Sequence, residues 1–469
     1  LAPLRVDEAG LAAQVRRGLL GFGYTGERVQ AMLREVRVGN DYAATAERVA
    51  PLTPMGCLLR AFVLGAATEE GRLREQLGEE FWGLCERAGL WERVEGGLVG
   101  SVVIMVDGKT FLLSDRAEVR HGERGMYWVM GIGTSTAKLG NSLPRRRYER
   151  VLDLCCGAGV QSFLLAPYAG QVVGVDQNPR ALNYGRFAAG MNKFGTVEFR
   201  ESDCYSAVSG ELFDAIVCNP PYVLTPEREA YYRDGGMGGD RFAERVLREA
   251  PGYLEEGGVA HVMCDVAAME GKSGEARLQS WMAGSGCDVL AIGGGELEPG
   301  RYARNWLGAE WTAEAEGRWR ESLRSLGVTG VTNLLVVLRK REGQNWFRRE
   351  VLDGEPRGCF GHQVERLLHC QDLAEGGDEA LRRARLRVPA EVRLTSTMRA
   401  EGGKWLGETA RVGYAEGMPV EMETDAATAA GLALFDGKRA TADVMAANQW
   451  KTGTVRRFVS RGILELVKL

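Results

Sequence analysis

Val151-Leu-Asp153-Leu-Cys-Cys-Gly157-Ala-Gly159 is an apolar run that breaks into a pair of closely spaced glycines. A short apolar run ending in this way reads as a buried strand entering a tight turn. Glycine there permits positive φ and lets the backbone approach a ligand closely. Val160 to Tyr168 comes next with helical spacing, so the stretch reads as strand, glycine turn, helix. A second strand, Val172-Val-Gly-Val-Asp176, then ends on a carboxylate. A carboxylate at that point can accept both hydroxyls of a ribose; it can equally serve as the cap of a helix starting at Asn178-Pro179.

The same alternation continues outward. Asn178 to Asn192 and Arg241 to Tyr253 read as helices. Val197 to Glu201, Phe213 to Cys218, Val259 to Asp265, Val289 to Ile292 and Leu334 to Leu338 read as strands. Strands alternating with helices predict an α/β fold with a doubly wound parallel sheet. Before it, Glu27 to Val38 and Leu58 to Leu64 carry helical spacing, and Asp107-Gly108 marks a hairpin turn. Helices followed by a hairpin predict a mostly helical, winged-helix-like N-terminal domain over 1–125. After Arg341 the helical stretch Arg357 to Arg385 precedes strand-like runs at Val392 to Thr397 and Pro419 to Met422. Three short helices (Ala426 to Phe435, Thr441 to Ala447, Gly453 to Ser460) and a strand from Ile463 close the chain. That order predicts a small α+β C-terminal domain over 341–469, also winged-helix-like.

Composition bounds the function classes. The chain has 469 residues, 45% hydrophobic and 26% charged, with a net charge of -4. These values suit a soluble multidomain protein. They argue against a globally basic nucleic-acid coat, and no apolar run is long enough for a membrane helix. The ten cysteines form no CxxC pair, and most sit inside apolar runs, as reduced thiols do in a cytoplasmic protein. The opening Leu1-Ala-Pro3 is not a secretory signal, and the missing initiator Met predicts a trimmed tag or leader.

The glycine loop is D-x-x-x-G-x-G rather than G-x-G-x-x-G, so it lacks the third glycine that serves helix packing beneath a pyrophosphate. That suits S-adenosylmethionine, which has no pyrophosphate, better than a nicotinamide cofactor. Asp153, near the end of the first strand, would meet the cofactor's amino-acid end. Asp203, after the third, would meet the adenine amino group, or is a plain loop carboxylate. Asn219-Pro220-Pro221-Tyr222 comes directly after the strand that ends at Cys218. Two prolines fix the backbone and remove two donors. The Asn219 side-chain oxygen and the Pro220 carbonyl can then hold both hydrogens of a planar –NH2 group, with Tyr222 stacked against it.

These residues resemble class I S-adenosylmethionine-dependent methyltransferases, in the branch that carries Asn-Pro-Pro-Tyr. The branch includes release-factor glutamine methyltransferases and enzymes acting on adenine and guanine amino groups. The resemblance covers roughly Glu149 to Lys340 and implies a Rossmann-like methyltransferase domain over 126–340. It implies Asp153, Gly157, Gly159, Asp176, Asp203 and Asn219 as cofactor contacts, and Asn219, Pro220 and Tyr222 as the acceptor-holding catalytic set. The run Asp234 to Gly258 is similar to the loop, helix and Gly-Gly turn found after the motif in the glutamine methyltransferases. Cys155 and Cys156 depart from the family pattern, standing where Gly and Cys are frequent. The implied reaction is methyl transfer to an amide or exocyclic amino nitrogen, on a protein glutamine or an RNA base. The flanks match nothing in those enzymes. Two alternatives stand beside this reading: an N-methyltransferase of a small metabolite, and a non-catalytic nucleic-acid-binding regulator. Oligomeric state is not legible.

Weaker features have two readings each. Gly131-Ile-Gly133-Thr-Ser-Thr136 is a cofactor lid or a linker turn. Tyr231-Tyr-Arg-Asp234 shapes the acceptor pocket or is a surface loop. Arg145 to Arg147 touches phosphate or is a solvated linker. Cys359, His362, His369 and Cys370 lack common zinc spacing, so no metal is expected. His121 and His261 read as structural.

Overall fold

The computed structural model describes residues 4–6, 8, 10–34, 53–116, 126–226 and 237–467. They fall into two compact units rather than three segments. The first holds 1–137, 147–289 and 296–346, and the second 138–146, 290–295 and 347–469.

The first unit opens with helices α1 (Leu11–Gly21), α2 (Gly26–Arg34), α3 (Pro54–Leu59, continuing as a π turn, Arg60–Leu64) and α4 (Glu70–Ala88). Strands β1 (Trp91–Val94) and β2 (Gly97–Gly100) form one hairpin, and β3 (Val103–Asp107) and β4 (Thr110–Ser114) another. Asp107 pairs with Thr110 and Gly108 takes φ 56°, which is the expected turn. Of the helix expected over Glu27 to Val38, the part beyond Arg34 lies outside the described residues.

After α5 (Thr134–Ser142) come β5 (Tyr148–Leu154), α6 (Val160–Leu165), β6 (Ala169–Asp176), α7 (Pro179–Asn192), β7 (Val197–Glu201) and β8 (Phe213–Cys218). Then come α8 (Arg241–Glu249), β9 (Leu254–Met269), α9 (Gly274–Met282), β10 (Cys287–Gly293), α10 (Pro299–Leu307), α11 (Ala313–Ser325) and β11 (Val328–Lys340). Within the sheet β7, β6, β5, β8 and β9 are parallel neighbours in that order. β11 lies on β9 and runs antiparallel, placing Asn333 opposite Asp265. The all-parallel expectation is therefore corrected to a mixed sheet. An apolar run such as Leu334 to Leu338 encodes burial but not strand direction.

The N-terminal helices do not form a core of their own. Leu11, Val15 and Leu19 share one buried cluster with Leu182, Phe187 and Met191 of α7. Two asparagines clamp the layers. Asn183 accepts from the Leu4 N–H at 2.9 Å and donates to its carbonyl at 3.0 Å. Asn192 does the same for Phe111, both at 2.8 Å. This is why no boundary opens near 125: α7 presents an apolar face to β6 and another to α1 and β4.

In the second unit, β12 (Phe347–Val351), α12 (Gly361–Glu375) and α13 (Gly377–Arg383) precede β13 (Leu386–Arg387). A three-stranded antiparallel sheet comes next, β14 (Val392–Glu401), β15 (Lys404–Tyr414) and β16 (Glu421–Thr424). Helices α14 (Ala426–Leu432), α15 (Thr441–Asn448) and α16 (Thr452–Ser460) and strand β17 (Glu465–Leu466) complete it. β15 was not expected from the sequence. Only Ala410 and Val412 are buried on it while Trp405 is 68% exposed, so its pattern does not alternate. The unit's core gathers Cys370, Leu381, Val412, Phe435, Phe458 and Ile463. The Cys/His quartet is dispersed: Cys359 Sγ faces Asn141, His362 pairs with Glu391, and buried Cys370 donates to the Leu464 carbonyl.

Candidate active site

The carboxyl ends of β5, β6 and β8 lie side by side, with Leu154 opposite both Val175 and Cys218. Open parallel sheets bind ligands at such an edge. The turn after β5 is left-handed at Cys155 (φ 56°), Gly157 (φ 53°) and Gly159 (φ 85°). The Gly157 N–H donates to Asp176 Oδ2 at 2.8 Å, and the Asn178 N–H to Oδ1 at 2.8 Å. Asp176 thus ties the glycine loop to α7, while Asn178 itself caps that helix by accepting from Arg180 and Ala181. Burial raises the Asp176 pKa, and the Asn178, Gly157 and Gln177 amides oppose the rise.

The two glycines do different work. A Cβ on Gly157 would meet open space, so the loop leaves room beside Asp176. A Cβ on Gly159 would stand 2.5 Å from the Phe199 ring. Gly174 and Gly185 close on the same ring at 2.8 and 2.9 Å. Phe199 therefore sits in a cup of three glycines, and Gly159 serves packing.

The carboxylates also separate. Asp153 is 1% exposed, and its Oδ2 accepts from the Ser162 N–H at 2.8 Å and the Ser162 hydroxyl at 2.6 Å. It braces the start of α6. Burial pushes its pKa up to about 7, against the two Ser162 hydrogen bonds. Asp203 turns outward, its side chain 71% exposed, onto Arg245 at 3.0 Å. The nearest buried polar residue of that loop is Ser202, whose N–H donates to the Asp176 carbonyl.

Asn219-Pro-Pro-Tyr222 leaves β8 as a strap. Pro220, Pro221 and Tyr222 are buried. Asn219 Nδ2 donates to Ser135 Oγ at 3.4 Å, while its Oδ1 is shut away from solvent with no hydrogen-bond partner. A buried acceptor left unmade is costly, and such groups recur where a ligand completes them. Tyr222 packs edge-on against Trp306, ring centroids 6.1 Å apart. Burial raises its pKa, and hydrogen bonding by Ser135 and Asn333 opposes the rise.

The segment expected to be a lid or a linker lies against this site. Ser135 meets Asn219, and the Thr136 carbonyl accepts from Gln161 Nε2 at 2.7 Å. Gln161 Oε1 is a second buried acceptor without a partner. Gln161, Asp265 and Asn333 were not expected at the site from the sequence. The one available signal was polarity in the wrong place: Asp265 stands within the apolar run Val262-Met-Cys-Asp-Val266. His121 and Tyr231 to Asp234 lie outside the described residues. Arg146 pairs with Glu365, Arg147 with Glu149, and Arg145 donates to the Gly140 carbonyl. Among the described residues no group of three or more His, Cys, Asp or Glu could hold a metal, and no helix is long and apolar enough to cross a membrane.

Comparison with known proteins agrees with this geometry. Residues 120–268 match the family described as methyltransferase small domain. A Methanocaldococcus jannaschii protein, provisionally named a protein N5-glutamine methyltransferase, is 37% identical over 120 residues, which is 24% of this chain and 60% of that one. A release factor glutamine methyltransferase from Xylella fastidiosa is 33% identical over 168 residues, 29% of this chain and 58% of its own length. A ribosomal protein uL3 glutamine methyltransferase from Bordetella pertussis is 35% identical over 127 residues, 24% and 42% respectively. The chain thus spans about half the length of the curated relatives it matches, and the family match over 120–268 includes the glycine loop and the Asn219 strap. Residues 120–268 thus carry a methyltransferase small domain, similar over this part of the chain to curated protein glutamine methyltransferases.

Proposed function

We propose that the protein methylates the side-chain amide nitrogen of a glutamine in a polypeptide, in the cytoplasm. The observation that carries this is Asn219 Oδ1, a buried acceptor with no partner, at the end of β8 beside the glycine loop. An incoming –NH2 group supplies the missing donor. The names of the relatives favour a protein glutamine over a nucleic-acid base or a metabolite.

The residues present fit S-adenosylmethionine. Gly157 keeps an open space beside Asp176, and Asp176 offers carboxylate oxygens to a ribose. Gln161 Oε1 offers a further buried acceptor, suited to a cationic group. When bound, the cofactor supplies a methyl group on a positively charged sulfur. The chain's part is orientation and exclusion of water. Asn219 Oδ1 and the Pro220 carbonyl accept the two amide hydrogens, and the Tyr222 ring covers the amide plane. An amide lone pair is delocalised. Two acceptors aimed at the N–H bonds favour the pyramidal nitrogen that develops in the transition state. A hydroxyl acceptor would fill only one, leaving the other buried and unpaired, so oxygen is rejected.

The test uses methyl-labelled S-adenosylmethionine with a cell extract, then with purified release factor and ribosomal protein uL3. Label in polypeptide, resistant to ribonuclease and mapping to a glutamine side chain, is expected. Label in RNA, or confined to small molecules, overturns the proposal. Asn219→Ala abolishes labelling while cofactor affinity persists; a regulator would be indifferent to it.

A further inference from the structure

Among the described residues, two buried side-chain acceptors have no hydrogen-bond partner, Asn219 Oδ1 and Gln161 Oε1. Both belong to amides whose N–H groups go to one short segment. Asn219 Nδ2 donates to Ser135 Oγ at 3.4 Å, and Gln161 Nε2 to the Thr136 carbonyl at 2.7 Å. The first oxygen already has a proposed task. Gln161 is 4% exposed and lies in the first turn of α6. The peptide that joins it to Ser162 donates its N–H to Asp153 Oδ2 at 2.8 Å, which ties Gln161 to the carboxyl end of β5. In the sheet β5 lies between β6, which ends on Asp176, and β8, which runs into Asn219.

We propose that Gln161 is a cofactor-binding residue whose Oε1 accepts a hydrogen bond from the α-ammonium group of S-adenosylmethionine. The inference rests on the reading of the glycine loop as the cofactor's site, and it names the group that Gln161 takes. Three physical points carry it. A ribose on Asp176 and a methyl group turned to Asn219 leave the sulfur and its amino-acid chain to the strand between them, where Gln161 is tied. The sense of the amide is fixed, because the Thr136 carbonyl can only accept and so holds the NH2 end. What remains is an acceptor alone. Of the two charged groups on the amino-acid chain it therefore suits the ammonium, mostly protonated near neutral pH, and not the carboxylate. The last point is cost. A buried amide oxygen left unpaired is unfavourable on a helix whose other buried side chains include Phe163 and Leu165, and a charged donor offsets that. A neutral acceptor also adds no third carboxylate to Asp153 and Asp176 at these strand ends.

The experiment is a binding cycle by titration calorimetry and needs no methyl acceptor. Wild type and Gln161→Met, which keeps the side chain's length without its amide, are each titrated with S-adenosylhomocysteine and with its analogue lacking the α-amino group. Wild type should bind the analogue about tenfold or more weakly, the scale of one hydrogen bond to a charged group. Gln161→Met should lose about tenfold or more on S-adenosylhomocysteine, yet bind both ligands within about twofold of each other, because each change removes one half of the same contact. Equal weakening of both ligands by the substitution overturns the proposal and makes Gln161 structural. An unchanged affinity of Gln161→Met for S-adenosylhomocysteine overturns it too. If Gln161→Met does not fold, as its thermal midpoint reads, Gln161→Asn carries the same cycle with the oxygen withdrawn by one methylene. Wild type that binds neither ligand overturns the cofactor reading itself, and this inference with it. Failure to methylate any glutamine polypeptide overturns the proposed function alone, since the binding cycle does not involve the acceptor.

Discussion

Asp153→Asn should change how the stability of the first unit depends on pH. In the folded chain burial pushes the Asp153 pKa from 3.8 to about 7. A carboxyl so raised binds its proton more tightly folded than unfolded. Its stabilising share is therefore complete below pH 3.8 and is lost as pH rises through about 7. The displacement is roughly 3 pH units at ~1.4 kcal/mol each, or on the order of 4 kcal/mol in all. Between pH 5 and 8 the loss is about 2.5 kcal/mol, since the unfolded carboxyl is already mostly ionised at pH 5. Asparagine keeps an acceptor for the Ser162 N–H and hydroxyl but cannot ionise. It adds an amide –NH2 in need of a partner, a penalty of ~1–3 kcal/mol that does not vary with pH. The variant is thus offset from the wild type by an amount that moves in its favour as pH rises. The assay is urea unfolding of both proteins followed by tryptophan fluorescence at pH 5, 6, 7 and 8. The difference in unfolding free energy should drift toward the variant by ~1.4 kcal/mol per pH unit up to about 7, then flatten. Parallel curves would refute the reasoning and show Asp153 to be ionised without penalty.

Other expectations separate the glycines and the clamp. Gly159→Ala should cost roughly 2–4 kcal/mol, because a Cβ at φ 85° would stand 2.5 Å from Phe199; the thermal midpoint reads it. Gly157→Ala, at φ 53° but facing open space, should cost only ~1 kcal/mol of stability while weakening S-adenosylmethionine binding; titration calorimetry distinguishes the two. Asn219→Ala should reduce methyl transfer by about 100-fold or more with cofactor Kd changed by under about threefold, as steady-state kinetics will show. Tyr302→Phe should destabilise the first unit by ~1–3 kcal/mol, since Leu224 N–H and Asp265 Oδ2 both lose a partner; denaturant unfolding measures it.

Most strands from β5 to β11 were legible because they are compact apolar runs bounded by glycine, proline or a carboxylate, whereas the charged β12, Phe347–Val351, was not read. Phe213 to Cys218 was read to the residue, and α7 was read one residue long, with its cap Asn178 taken as helix. The direction of β11 was not legible, since burial leaves the same pattern in either direction. The separate N-terminal domain failed for a related reason. The spacing of α1 shows that it has an apolar face, not that the face lies on α7. The candidate site divides in the same way. Asn219, Pro220, Tyr222, Gly157 and Asp176 stand at strand ends, where topology alone brings them together. Asp153 and Asp203 also stand at strand ends, yet one is spent on Ser162 and the other on Arg245.

The sequence by itself determined the order of elements, the glycine loop and the rigid Asn-Pro-Pro-Tyr strap, because these depend on backbone freedom and on burial period, both local properties. Only the tertiary structure decided what each polar side chain touches. Asp265 and Asn333 are far apart along the chain and meet across two antiparallel strands. Phe199 finds its three glycines from three different elements. Asn219 Oδ1 is left without a partner while its own Nδ2 meets Ser135 from a segment far away in the sequence. A hydrogen bond selects its partner by position in space, and sequence spacing carries that position only as far as the next turn or the opposite strand.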